Sequence, residues 1–91
     1  MDSPVNSTKV IIKAHSRSGL WQAEKTTIQI HRNATVEEYL IPAPQDVFES
    51  EDFELVKEHA LQNALAWINS EDGPGNLCGE IQMEIETVIE Q

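Results

Sequence analysis

The stretch EDGPGNLCGE, residues 71–80, contains three of the four glycines and the only cysteine of the chain. A glycine-rich loop binds phosphate when it leads into a helix N-terminus, where free N–H groups and the positive end of the helix dipole face the anion. Here the glycines follow a predicted helix, and Glu71 and Asp72 would repel a phosphate. The stretch is therefore predicted to be a bend in which Gly73 ends the helix and a strand begins at Gly79.

Cys78 lacks the surroundings of a reactive thiol. A nucleophilic cysteine needs a helix N-terminus, a histidine or a basic residue to stabilise its thiolate. The nearest charged residues in the sequence are acidic, which disfavours the thiolate. Only a fold that brought His15 or His31 beside Cys78 would reverse this, so we expect a small structural cysteine.

The three histidines, His15, His31 and His59, do not form a metal-binding pattern. The sequence has no HExxH motif, no histidine pair at i,i+4 and no second cysteine, so we expect no metal and no other cofactor. Carboxylates are abundant enough to suggest acid–base pairs, but a solvated row of glutamates lacks the burial that separates their pKa values. The sequence therefore predicts a protein that is not an enzyme.

Length and composition indicate one small soluble domain over residues 1–91, with residues 1–7 as a flexible N-terminus. The chain is 40% apolar and 24% charged, as in ordinary globular proteins. No apolar run approaches the ~18 residues that a membrane span needs, and the N-terminus does not resemble a signal peptide. We therefore expect a cytoplasmic protein with no membrane contact.

The charge is strongly acidic and unevenly distributed. The net charge is −10. Residues 1–35 carry five basic and two acidic side chains, whereas residues 36–91 carry one basic and fourteen acidic side chains. This balance argues against binding to a nucleic-acid backbone.

Two strands are predicted in residues 8–16 and 20–32, joined by a turn. The first alternates apolar and polar residues. In the second, the apolar residues change parity between Ala23 and Ile28, which predicts a β-bulge near 25–27 or a later start of the strand.

The second half of the chain contains one clear helix and one clear strand. Residues 35–41 fit either a third strand or a short helix, and this choice stays open. Residues 52–69 place eight apolar side chains on one half of a helical wheel, with Ser50 or Asp52 as the N-cap. Residues 79–91 alternate apolar side chains with polar ones that are mostly carboxylates, with Val88 as the one exception, and this pattern is typical of a half-buried strand.

These elements predict an α+β fold with the order β-β-(β)-α-β. One amphipathic helix packs on a mostly antiparallel sheet of three or four strands, which gives a two-layer sandwich. Opposite charges on neighbouring strands stabilise a sheet, so the Lys9, Lys13 and His15 face of the first strand is expected beside the glutamates of the last strand. The first and last strands are therefore predicted to pair.

The candidate interaction residues fall into three groups. Trp21 is the more plausible exposed aromatic anchor, whereas Trp67 belongs to the apolar stripe of the helix. The basic residues of the first two strands either form a small patch for an acidic ligand or merely neutralise the last strand; they are Lys9, Lys13, His15, His31 and Arg32. The acidic candidates are Glu80, Glu84 and Glu86.

The function predicted from these features is a small acidic protein-interaction module that binds a protein partner as a monomer or weak dimer. One alternative is an acidic mimic of nucleic acid that occupies the basic groove of a nucleic-acid-binding protein, because carboxylates at i and i+2 on a strand repeat every ~6.6 Å. A second alternative is a small hydrolase or ligand-binding domain.

Overall fold

The computed structural model describes residues 7–43, 46–73, 75 and 80–90 of the chain. It has one helix packed against a mixed sheet of five strands, which confirms the predicted α+β class. The elements in chain order are β1 (Ser7–Arg17), β2 (Leu20–Arg32), β3 (Thr35–Leu40), β4 (Glu49–Ser50), α1 (Phe53–Ile68) and β5 (Glu80–Glu90). The strand order is β3-β2-β1-β5, and β4 pairs with β2. The two-residue β4 is too short to show alternation in the sequence.

The β1–β2 hairpin contains the predicted bulge. Its two-residue turn, Ser18 and Gly19, has φ values of 55° and 84°, the type I′ geometry that matches the twist of the joined strands. The register shifts between Lys13 and Ala14, which leaves Glu24 of β2 as the extra residue. The bulge therefore lies just before the predicted position, and it turns the apolar residues on either side of it toward the same face.

Residues 35–40 form a strand antiparallel to β2, so the strand interpretation of this segment is confirmed over the helix. A second tight turn precedes it, with φ of 51° at Asn33 and 67° at Ala34. Within β3 the Tyr39 hydroxyl donates to a carboxylate oxygen of Glu37 at 2.7 Å, and this hydrogen bond is the main cause that raises the pKa of the Tyr39 phenol.

Asp52 caps the start of α1. Its carboxylate accepts a hydrogen bond from the N–H of Glu54 at 3.0 Å, which satisfies one of the free donors of the first turn. Of the two predicted caps, Ser50 has a supporting role, because its hydroxyl oxygen accepts the N–H of Asp52 at 3.0 Å.

The prediction that Gly73 ends the helix is wrong. The last helical residue is Ile68, and Asn69 is the C-cap in a right-handed conformation. The backbone N–H and the side-chain amide of Asn69 both donate to the carbonyl oxygen of Leu65, at 3.2 and 3.1 Å. Asparagine thus supplies a donor that the helix end needs, and no glycine is required there. Gly75, with φ of 90°, then donates its N–H to the Ile68 carbonyl oxygen at 3.0 Å.

The core lies between α1 and the β1–β2 hairpin. Alternate residues of both strands face the helix, whose buried residues belong to the predicted apolar stripe and recur every four positions. The buried cluster is Val10, Ile12, Ile28, Ile30, Ile41, Ala60, Ala64 and Ile68. Burial of these side chains is the main apolar contribution to stability.

β5 lies beside β1 and runs parallel to it, which confirms that the first and last strands pair. A parallel neighbour requires a crossover, and α1 lies in the connection between the hairpin and β5. Of the three residues in the charge argument, Lys13 is opposite Glu86, whereas Lys9 and His15 are opposite Gln82 and Val88. Arg17, which was not among them, is opposite Glu90. The other three strand pairs are antiparallel, so the sheet is mostly antiparallel.

Candidate interaction surface

An exposed row of apolar side chains lies along β5 on the helix side of the sheet. These residues stand opposite the inward-facing residues of β1, and we call them the β5 ledge: Ile81, Met83, Ile85 and Ile89. Their exposed fractions are 40% for Ile81, 38% for Met83 and 69% for Ile89, whereas Val10 and Ile12 on the adjacent strand are fully buried. Ile85 is half-buried against the core. The alternation of β5 predicted a buried apolar face, and the structure leaves most of that face open.

The ledge is open because α1 lies over β1, β2 and β4. Among the described residues, the helix backbone makes no close approach to β5. Side-chain contacts hold the helix toward the opposite edge: the Asn63 amide donates to the Pro42 carbonyl oxygen at 3.5 Å, and the rings of Trp67 and Tyr39 lie 5.8 Å apart. A helix about 10 Å across covers about two strands at ~4.8 Å spacing, and the two covered by α1 are β1 and β2.

The helix borders the ledge with two leucines. At 3.6 residues per turn, Leu61 and Leu65 lie on the flank of α1 opposite to Asn63 and Trp67, and hence on the side toward β5. Both leucines are half-buried, and Leu61 packs against the core as Ile85 does.

β5 is also an edge strand. Among the described residues it has a neighbouring strand on one side only, β1, along all eleven residues. The backbone N–H and C=O groups that point away from β1 are therefore available to another strand. The opposite edge of the sheet, β3, is six residues long and offers a shorter template.

The predicted glutamate row lies on the other face of β5. Glu84, Glu86 and Glu90 alternate with the ledge residues, and Glu80 pairs with Ser7 at the start of the strand. Arg17 lies 3.8 Å from Glu90, measured from Nε to Oε2. Within the described part of the chain, Glu84 and Glu86 are exposed and have no ion-pair partner closer than 4 Å. Neutralisation of this row by β1 is therefore incomplete.

Most of the predicted basic patch gathers on the open face of the sheet, the face without the helix. Lys9, Lys13 and His15 alternate along β1, and His31 of β2 stands opposite Ser7 on the same face. Lys25, opposite Lys13, joins them and was not among the predicted residues. Its position became predictable only once the bulge fixed the register.

The positive charge of this patch is reduced by one carboxylate and by the absence of Arg32. The carboxylate of Glu24, the bulge residue, lies 3.9 Å from Lys13 Nζ and 3.9 Å from His15 Nδ1. Arg32 departs from the patch, because it follows His31 in an extended strand and therefore lies on the helix side of the sheet. The hairpin thus balances part of its own charge.

Trp21 is half-buried and packs on the first residue of the helix. Its ring centroid lies 4.9 Å from that of Phe53, with the planes at 55°. This contact joins the start of α1 to β2, so the side chain has a structural partner. Its role as an interaction anchor stays a prediction.

A cleft of about 550 Å³ opens between the bulge of β2, the segment after β3 and the first half of α1. His15, Glu24, His59 and Asn63 supply polar groups, and Phe48 stacks on His59 with centroids 4.5 Å apart. The remaining walls are largely apolar. A cleft of this size is within the range of small-molecule sites.

The predictions for the glycine-rich stretch can be followed only in part. Cys78, Gly79 and the 74–76 turn, apart from Gly75, lie outside the described residues. Within the described ranges, no three His, Cys, Asp or Glu side chains form a group that could hold a metal ion. In the same residues, no helix is both long and apolar enough to cross a membrane.

Comparison with protein-family models, with curated proteins and with solved structures finds no significant match to this chain. The surface of the molecule is therefore the basis for its function. Its main feature is the β5 ledge, an apolar row beside an open strand edge.

Proposed function

We propose that this chain is a small, acidic, non-enzymatic module that binds a protein partner along the β5 ledge. The observation that carries the proposal is the contrast across two adjacent strands: Val10 and Ile12 are fully buried, whereas Ile81, Met83 and Ile89 are exposed. Apolar side chains at such spacing on an open edge are the kind of surface that partners cover. The proposal includes the cytoplasm as the place of action, where one unpaired cysteine is ordinary.

Mimicry of nucleic acid is a competing function with support of its own. Glu84 and Glu86 are exposed on the open face of the same strand, without ion-pair partners closer than 4 Å among the described residues. A basic groove would bind this row through charge, and such binding would weaken steeply with salt. A ledge-centred interface depends on buried apolar area and resists salt.

Small-ligand binding is the second alternative, supported by the cleft beside His59 and Asn63. Its residues are separate from the β5 ledge. Substitutions on β5 therefore distinguish this function from the proposed one.

The test is capture of a partner from a native lysate with three forms of the tagged chain. We expect the wild type and Leu55→Ser to retain the same partner, and the double variant Ile81→Ser/Ile89→Ser to lose about tenfold or more of it, a typical effect of removing interface anchors. Leu55 is the matched control, because it is also a large apolar side chain, is 49% exposed, and lies on α1 away from β5.

The same capture is repeated at low and at high salt. Retention in a few tenths molar salt, together with loss in the ledge variant, supports the proposed interface. A partner that is lost in salt, kept by the ledge variant and lost in Glu84→Gln/Glu86→Gln would contradict the proposal and favour mimicry. Circular dichroism of each variant verifies that the fold is retained.

A further inference from the structure

We infer that the partner adds a strand to the sheet beside β5, through an extended segment in which apolar residues alternate with lysine or arginine. This inference rests on the proposed function and specifies the chemistry of the partner. It combines three properties of β5: its open edge, its apolar row and its acidic row.

The open edge determines the conformation of the partner. Eleven residues of β5 are paired on the β1 side, and their outward N–H and C=O groups need an extended backbone to satisfy them. An eleven-residue strand is about 36 Å long, enough to hold a bound segment in one register. A helix on the ledge would leave these backbone groups to water.

The two faces of β5 determine the side chains of the partner. A segment in register places alternate residues beside the ledge, which favours apolar side chains there. The residues between them lie beside Glu84 and Glu86, which have no ion-pair partner closer than 4 Å in the described structure. Opposite charges in these positions stabilise the pair, and like charges oppose it.

β1 already shows that β5 accepts this pattern. On its covered side β5 pairs with a strand that places Val10 and Ile12 next to the ledge. The same strand places Lys13 opposite Glu86 and Arg17 opposite Glu90, with a 3.8 Å contact in the second pair. The inferred partner repeats on the outer edge what β1 provides on the inner edge.

A second copy of this chain fits the edge poorly. If two β5 strands paired antiparallel about a twofold axis normal to the sheet, their acidic faces would coincide. In full register, and in registers shifted by two residues, a glutamate would then stand opposite a glutamate, because Glu84, Glu86 and Glu90 lie on that face. The glutamates thus oppose self-pairing while admitting a basic strand.

The probe for this inference is a synthetic peptide as long as β5 that alternates lysine and valine. Its valine amides are N-methylated, so that one edge is blocked and the peptide cannot build sheets larger than a pair. Repulsion between lysines opposes pairing of two peptides along the free edge. One control replaces every lysine by glutamate, and a second is N-methylated at every residue. Binding is followed on the isotopically labelled full chain by NMR amide shifts and hydrogen exchange.

We expect the lysine peptide to bind at least about tenfold more tightly than the glutamate peptide, and the fully methylated peptide not to bind. Shifts and new exchange protection are expected in residues 81–90. Glu84→Lys is expected to weaken binding of the lysine peptide and strengthen binding of the glutamate peptide. Position 84 is suitable because it stands opposite Ile11 on β1, so the new lysine is not directly opposite another lysine. Glu84→Gln serves as the milder variant if the charge reversal destabilises the fold.

Several results would overturn the inference. They are equal binding of the two alternating peptides, shifts confined to the cleft, or protection of β5 amides by self-association without peptide. If capture depends on the ledge but the lysine peptide does not bind, this inference fails while the proposed function stands. If the peptide binds β5 but capture is insensitive to the ledge variant, the proposed function fails instead.

Discussion

Replacement of Ile28 by alanine is expected to lower the free energy of unfolding by roughly 2–5 kcal/mol, whereas replacement of Ile89 by alanine should change it by less than about 0.5 kcal/mol. Ile28 is fully buried between β2 and α1, and its loss leaves a cavity. Ile89 is 69% exposed, so removal of its side chain breaks few contacts. A domain of this size has a total stability of about 5–14 kcal/mol, so the first change removes a large share of it.

Urea denaturation followed by circular dichroism measures both changes. The slope of the transition serves as a control, because an altered slope would indicate a changed unfolded or native state instead of a lost contact. If Ile89→Ala were as costly as Ile28→Ala, the β5 ledge would be covered in solution. The proposed interface would then lose its basis.

The second large effect is expected at Gly73. A Cβ at this position would overlap the carbonyl oxygens of Trp67 and Ile68 and lie 2.7 Å from the Ile68 carbonyl carbon, all of them backbone atoms that cannot rotate away. We therefore expect Gly73→Ala to cost on the order of 2–3 kcal/mol, since the chain must shift where it leaves the helix.

Gly19→Ala is the matched control. Gly19 has a positive φ of 84° but nothing within 4 Å of an added Cβ, so it should cost only the left-handed strain of about 1–2 kcal/mol. A Gly73→Ala variant as stable as the wild type, in thermal and urea unfolding, would show that the close approach after α1 is absent in solution.

Local patterns in the sequence were sufficient for most elements. The apolar half of the helical wheel predicts the buried stripe from Val56 to Ile68, and Asp52 was one of two expected caps. The change of parity after Ala23 predicts a bulge because a side chain cannot reach the core from the wrong face. The charges of β1 and β5 predict their pairing, which is a long-range feature.

The end of α1 was not predictable in the same way. Glycine followed by proline is a common stop signal, but Asn69 satisfies the Leu65 carbonyl oxygen with its own amide before Gly73 is reached. Gly73 is instead required by the close packing of the following turn. The sequence does not reveal this requirement, because a glycine that caps a helix and a glycine in a closely packed turn give the same Gly-Pro pattern.

The β5 ledge is open because one helix is too narrow to cover the whole sheet, and the sequence of a single element does not show this. Alternation in β5 shows that one face is apolar, and the same pattern suits a covered strand or an exposed one. Whether the face is covered depends on where α1 lies across the sheet, which the contacts of Asn63 and Trp67 with the β3 side determine. One helix over a four-strand path must leave some strands uncovered, so an uncovered strand was predictable from the sequence.

Site-specific photocrosslinking tests whether a partner binds at β5. A benzophenone amino acid is placed at Ile89 on the ledge or at Leu55 on the helix, positions that are 69% and 49% exposed, and each form is irradiated in native lysate. We expect a discrete adduct from position 89, formed also when salt is added before irradiation, and none from position 55. Adducts from position 55 alone, or equal adducts from both positions, would contradict an interface on β5.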